Sequence, residues 1–191
     1  TIYVGAADAS GADRYNGMID SLLIYDNRIF PFGAYHVPAA WGDAAGHPDP
    51  TVLMYWDGES AALTIGAGSA TLAGGLTAGA GISGAGLVSN ASGEYASIPS
   101  AGNIIAKQGS LAFWARSQDA ANPSGVQYLF YAAPGFNAFF NTSGHIGFTI
   151  NDGVTLLHAE DAYDGKWHHV RCTWDYEQDL YELLVDGEKR A

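Results

Sequence analysis

Apolar residues alternate with polar ones at a spacing of two along most of the chain, and this pattern limits the folds open to it. In LYELLVDG (180–187), Tyr181, Leu183 and Val185 fall on one face, while Glu182 and Asp186 fall on the other. The same alternation predicts strands at 1–5, 17–26, 51–57, 94–99, 110–117, 126–132, 137–142, 145–151, 154–159, 167–175 and 180–187. Nothing longer than a turn has helical spacing. The connecting TSG, NDG, YDG and VDG segments are hairpin turns, because Asn, Asp and Gly tolerate the positive φ that tight β-turns need. The expectation is an all-β fold, a two-sheet antiparallel β-sandwich.

Composition agrees with that class. The chain has 191 residues, enough for one domain. It holds 25 glycines, 13% aromatic residues and only 15% charged residues, a profile of many turns around an apolar interior. A formal net charge of −12, with eight Lys and Arg, argues against nucleic acid or an anionic membrane as partner. No apolar run approaches the ~20 residues of a membrane-spanning helix. The single cysteine, Cys172, excludes an intrachain disulfide and any CxxC site, and its alternation with Val170 and Trp174 makes it a small core residue. The chain begins at Thr1 without Met or a signal-like segment, and is expected to be a mature product or an excerpt.

Two segments break the pattern. Residues 30–50 carry four of the seven prolines and no alternation, as an arm or linker would. Residues 64–93 contain nine glycines, with Leu, Ile and Val interspersed, and are expected to form short strands with tight bends.

GLVSNASGEYASIPSAGNIIAKQGSLAFWARS, QYLFYA, GHIGFTINDG and AYDGKWHHVRCTWD followed by LYELLVDGE resemble the laminin G-like, concanavalin A-like jelly-roll family, over Val52 to Glu188. The resemblance implies a concanavalin A-like jelly roll. TIYVGAADASGADRYNGMIDSLLIYDNRIF resembles the last two strands of the same family, yet stands first, as in a circularly permuted domain or one cut from a tandem array. The expected organisation is one domain, 1–191. Residues 1–29 are the family's C-terminal strands placed first, 30–50 the arm and 51–191 the main body. The strands in 1–28 fold back on their own chain or complete a neighbour's sandwich, since an unpaired edge invites aggregation.

Several residues carry possible chemistry. Glu177, Asp179 and Glu182 have the E-x-D-x-x-E spacing of a glycosidase acid motif, but they straddle a hairpin turn. The rigid separation of about 5 Å that a retaining mechanism needs is therefore not expected. His168 and His169 point to opposite faces and cannot share a metal, while His145 and His158 lack a third ligand. The family resemblance implies a rim calcium site drawn from loops 133–141 and 5–13, where Asn137, Asp8 and Asp13 offer oxygen donors, although the family's acid in the first loop is missing. A sugar site needs exposed aromatic faces, and Trp41, Tyr15 and Phe136 are the candidates. Asn90 and Asn141 sit in glycosylation sequons, which matter only in a secretory setting.

The leading reading is a non-catalytic recognition or adhesion module that binds glycan or an extracellular protein through rim loops. Its only expected cofactor is Ca²⁺, and its expected place is extracellular, at a cell or virion surface. A structural repeat that self-associates in a surface fibre, sheath or phage tail is the second reading, and a glycoside hydrolase the third.

Overall fold

A computed structural model describes the chain except residues 12, 27–51, 59, 61–62, 64–65, 83, 92, 106, 119–120, 133–134, 151–153 and 190–191. Residues 52, 154, 157–161 and 189 are described by backbone alone. The described residues form fifteen strands in two antiparallel sheets and no helix. The strands are β1 (Ile2–Val4), β2 (Gly17–Tyr25), β3 (Val52–Trp56), β4 (Thr71–Ala73), β5 (Thr77–Ala80), β6 (Ala85–Ser89), β7 (Tyr95–Ile98) and β8 (Gln108–Ser117). They continue with β9 (Gln127–Ala132), β10 (Phe136–Phe140), β11 (His145–Ile150), β12 (Val154–Asp161), β13 (Trp167–Asp175), β14 (Leu180–Val185) and β15 (Glu188–Lys189). One sheet runs β12-β11-β10-β9-β1-β7-β4. The other runs β15-β14-β13-β8-β2-β6-β5, with β3 also paired to β2. This is the expected sandwich.

The two strands at the start of the sequence occupy the middle of the two sheets. β1 pairs with β9 on one side and β7 on the other, with Ile2 opposite Ala132 and Ile98. β2 pairs with β8 and with β6, so every residue from Gly17 to Tyr25 is buried. β1 and β2 thus pair with strands of their own chain in both sheets. Register shifts in β2 between Asp20 and Leu23, where Ser21 has a φ of 53°. That bulge tucks the Asp20 carboxylate inside, where it accepts hydrogen bonds from the Ser21 hydroxyl at 3.0 Å and the Ile82 N–H at 2.8 Å.

The core lies between the inner faces. Ile2, Val4, Phe130, Phe140 and Phe148 of one sheet meet Leu22, Ile24, Phe113, Val170, Cys172 and Trp174 of the other. Cys172 is wholly buried, and burial pushes its thiol well above the ordinary range, as suits an inert core residue. The glycine-rich stretch supplies β4, β5 and β6 with positive-φ glycines at the bends, among them Gly74 and Gly75.

Candidate functional site

Two of the three expected sugar platforms are core residues. Tyr15 is fully buried, its ring stacked on Phe140 at 5.9 Å with the planes 20° apart. Gly17 lets the chain pass against that ring, since a Cβ there would meet it at 2.6 Å. Phe136 is 6% exposed and packs against Trp174 at 5.1 Å. Both rings are buried, so neither offers a face to a ligand. Trp41, and with it the 30–50 arm, lies outside the described residues.

Of the three calcium candidates, Asp8 and Asp13 lie in the loop after β1 and Asn137 lies on β10. Asp8 is tied down locally, its Oδ1 accepting from the Ser10 N–H at 2.7 Å and the Ser10 hydroxyl at 2.5 Å. Asp13 sits at the end of the same loop with a φ of 46°, and its carbonyl accepts the Tyr128 N–H at 2.8 Å. Asn137 lies on β10 opposite Tyr131, nearer the other end of β9 from the point where the loop meets it. Among the described residues, no three His, Cys, Asp or Glu side chains group as metal ligands would.

The feature that does converge is a row of aromatic rings on the outer face of the β1-containing sheet. Because Ile2 and Val4 face the core, Tyr3 between them faces out. Its register partner on β9 is Tyr131, and Tyr95 on β7 is diagonal to it, with the ring centroids of Tyr3 and Tyr95 5.8 Å apart at 68°. Tyr131 meets Tyr128 at 5.6 Å, and Tyr128 meets Phe139 of β10 at 5.9 Å. Tyr128 and Tyr131 share a face despite their spacing of three because the register slips by one at Ala138/Phe139. Phe139 lies across Gly147 of β11, where a Cβ would collide with its ring.

All five rings are half-buried. They cross four strands, about 14 Å at the usual ~4.8 Å strand spacing. Polar groups flank them: Ser97 opposite Tyr3, Thr149 bonded to Thr155 at 3.0 Å, and Asn137 between Tyr131 and Thr149. The Asn137 Oδ1 is buried without a hydrogen-bond partner, a cost of about 1–3 kcal/mol that a donor from a bound molecule would remove.

Next to Tyr128, which Asp13 and Arg14 reach through its backbone, lies a polar cleft of about 430 Å³, lined among others by Asp13, Arg14, Asn16, Ser124 and Gln127. The loop after β1 is fastened there. Tyr15 N–H bonds to the Gly5 carbonyl at 2.8 Å, Gln118 N–H to the Asn16 carbonyl at 2.9 Å, and Asn16 N–H to Gln127 Oε1 at 3.2 Å. Burial chiefly, with the neighbouring Asp13 carboxylate adding to it, raises the Tyr128 phenol above its ordinary range, so the ring stays neutral and a hydrogen-bond donor at neutral pH.

The acidic hairpin has the expected form. Glu177 and Asp179 lie exposed in the turn between β13 and β14, and the Asp175 carboxylate accepts the N–H groups of Glu177 and Gln178, both at 3.1 Å. Glu182, on β14, accepts from Arg171 Nη2 at 3.3 Å. All three acids belong to the sheet opposite the aromatic row.

His168 and His169 do face opposite ways. The His168 ring is held between Asp186, 2.7 Å from Nδ1, and Asp164, 2.9 Å from Nε2. The bond to Asp186 leads the rise in its pKa; against the opposing effect of burial, Lys166 and then the His168 ring hold the Asp164 carboxyl below its usual range, and the His168 ring does so for Asp186. His169 is 1% exposed, edge-on to Trp114 at 5.1 Å, and burial lowers its pKa to about 4. His145 stands opposite Asp161 in the β11–β12 register, and no metal set forms around it among the described residues.

Reasoning from the sequence missed Tyr3, Tyr95, Tyr128, Tyr131 and Phe139. The available signal was aromatic residues at outward parity, beside Ile2, Val4, Ala96 and Ala138, where a sandwich ordinarily places polar groups. A laminin G-type family model, described as the concanavalin A-like lectin/glucanases superfamily, matches residues 90–191, just over half of the chain. No curated protein and no solved structure matches.

Proposed function

Because the chain belongs to the laminin G-type group of the concanavalin A-like lectin/glucanases superfamily, we propose that it is a non-catalytic recognition module of extracellular surfaces that binds glycan. The glycan lies along the row Tyr95–Tyr3–Tyr131–Tyr128–Phe139 on the outer face of the sheet. The observation that carries this reading is the row itself. Five adjoining half-buried rings on the solvent side of a sheet give pyranose C–H faces something to stack on, and the rings are already held by their neighbours. The orphan Asn137 Oδ1 supports it, as an acceptor placed for a sugar hydroxyl. The module is read as non-catalytic because Glu177, Asp179 and Glu182 lie on the opposite sheet, in and beside a turn.

A glycan array in millimolar calcium and in EDTA identifies the ligand class, and calorimetry on the Tyr3→Ala/Tyr131→Ala variant then locates the site. We expect binding in both buffers to be weakened about 100-fold in that variant, at roughly 1–1.5 kcal/mol per ring lost. Unchanged affinity in the double variant, or no glycan bound at all, would sink the reading.

A further inference from the structure

We infer that the glycan is acidic, and that Arg14 receives the carboxylate of a hexuronate residue in the polar cleft beside Tyr128. The inference rests on the glycan-platform reading and adds to it the ligand's charge. Arg14 bridges Tyr128 in parallel, and its neighbour Tyr15 points into the core, so the Arg14 side chain projects to the side that carries Tyr128. Its Nη1 is buried and bonded to nothing. A guanidinium nitrogen withdrawn from water without an acceptor is a standing cost, which a planar carboxylate relieves through paired hydrogen bonds.

The rest of the cleft is suited to the same sugar. Gln127 Oε1 is already used, accepting from the Asn16 N–H and the Tyr163 hydroxyl, both at 3.2 Å, so the amide is locked with its NH₂ as the end left to donate. Asp13 and Ser124 line the opposite chemistry, a carboxylate and a hydroxyl able to accept ring hydroxyls. A neutral sugar offers Arg14 single hydroxyl oxygens, whereas a uronate offers it a charged, paired acceptor and still brings hydroxyls to Asp13. The net charge of −12 sets an upper limit on ligand charge, because a densely sulfated chain would meet repulsion over the whole surface. One carboxylate aimed at one of only eight basic residues avoids most of that repulsion.

The test is calorimetry with two probes of identical linkage, a glucuronate-containing oligosaccharide and its carboxyl-reduced, neutral counterpart. On the unaltered protein the acidic probe should bind on the order of tenfold tighter, a margin that shrinks with added salt. In Arg14→Met the margin between the two probes should vanish. Comparing the two probes on the unaltered protein needs no substitution, so a fold defect in the variant cannot mimic the result. Equal binding of both probes, lost in Tyr131→Ala, would overturn the acidic ligand and leave the platform standing. Failure of both probes would overturn the acidic ligand, and if the wider array is also silent the platform falls with it.

Discussion

His168 and His169 are adjacent in sequence and opposite in electrostatics, because a strand sends neighbours to different faces. His169 is buried against Trp114, on the face of β13 opposite the Val170, Cys172 and Trp174 core, and taking up a proton there costs what burial takes away. Its folded pKa, about 4, is lower than the ordinary ~6.5, so the unfolded chain binds the proton more tightly between those values. Stability from this residue is present above pH 6.5 and is lost as pH falls, by about 3 kcal/mol once pH 4 is passed. His168 has the opposite sign: its raised pKa adds stability below about 6.5 that is lost as pH rises through the folded value. Denaturant melts of the protein and of His169→Phe at pH 7 and pH 4 separate the two, since His168 is common to both. The variant should lose about 3 kcal/mol less on acidification. An equal loss in both would show that His169 is not buried neutral.

At the scale of elements, the β13–β14 hairpin shows how an acid can matter to the fold while looking like chemistry. Glu182 and Arg171 sit opposite each other's neighbours in the register and are 15% and 5% exposed. Removing one partner leaves the other's charge buried, a loss of about 3–5 kcal/mol. Glu182→Gln should therefore lower the unfolding free energy by about that much, whereas Glu177→Gln, whose contact with Lys107 is 3.8 Å long and exposed, should leave it unchanged. A thermal melt of each variant decides, and it must precede any search for turnover, because loss of fold at Glu182 would imitate loss of a catalytic acid.

The strands were legible in the sequence because burial on one face writes period two directly into it. The aromatic row was not. In FNAFF and QYLFYA both parities are apolar, so alternation does not say which face is inside. The sequence offers Phe136 as the exposed ring, whereas Phe139 holds that place, and the pairing with β11 and the slip at Ala138/Phe139 decide between them. Arg14 carries no such signal, since the residue it bridges in parallel lies more than a hundred positions away.

For the whole molecule, the governing fact is that residues 2–25 place one strand near the centre of each sheet. An edge strand can be lost with partial survival of a sandwich, but removal of β1 leaves β7 and β9 without a shared neighbour, and removal of β2 strips β8, β6 and β3 of theirs. A chain lacking residues 1–25 should show no cooperative unfolding transition by calorimetry and should expose apolar surface to a hydrophobic dye. A sharp transition in that truncation would mean that the remaining strands close a core without it.

The same placement has a consequence during synthesis. Ile2 leaves the ribosome well before Ile98 and Ala132, the residues it will lie between. At roughly 5–20 residues per second, the wait is on the order of 5 to 25 seconds. For that interval Ile2, Val4 and the apolar length of β2 have no sheet to join. Nascent chains of this protein should therefore engage ribosome-associated chaperones early and be released only after β9 has emerged.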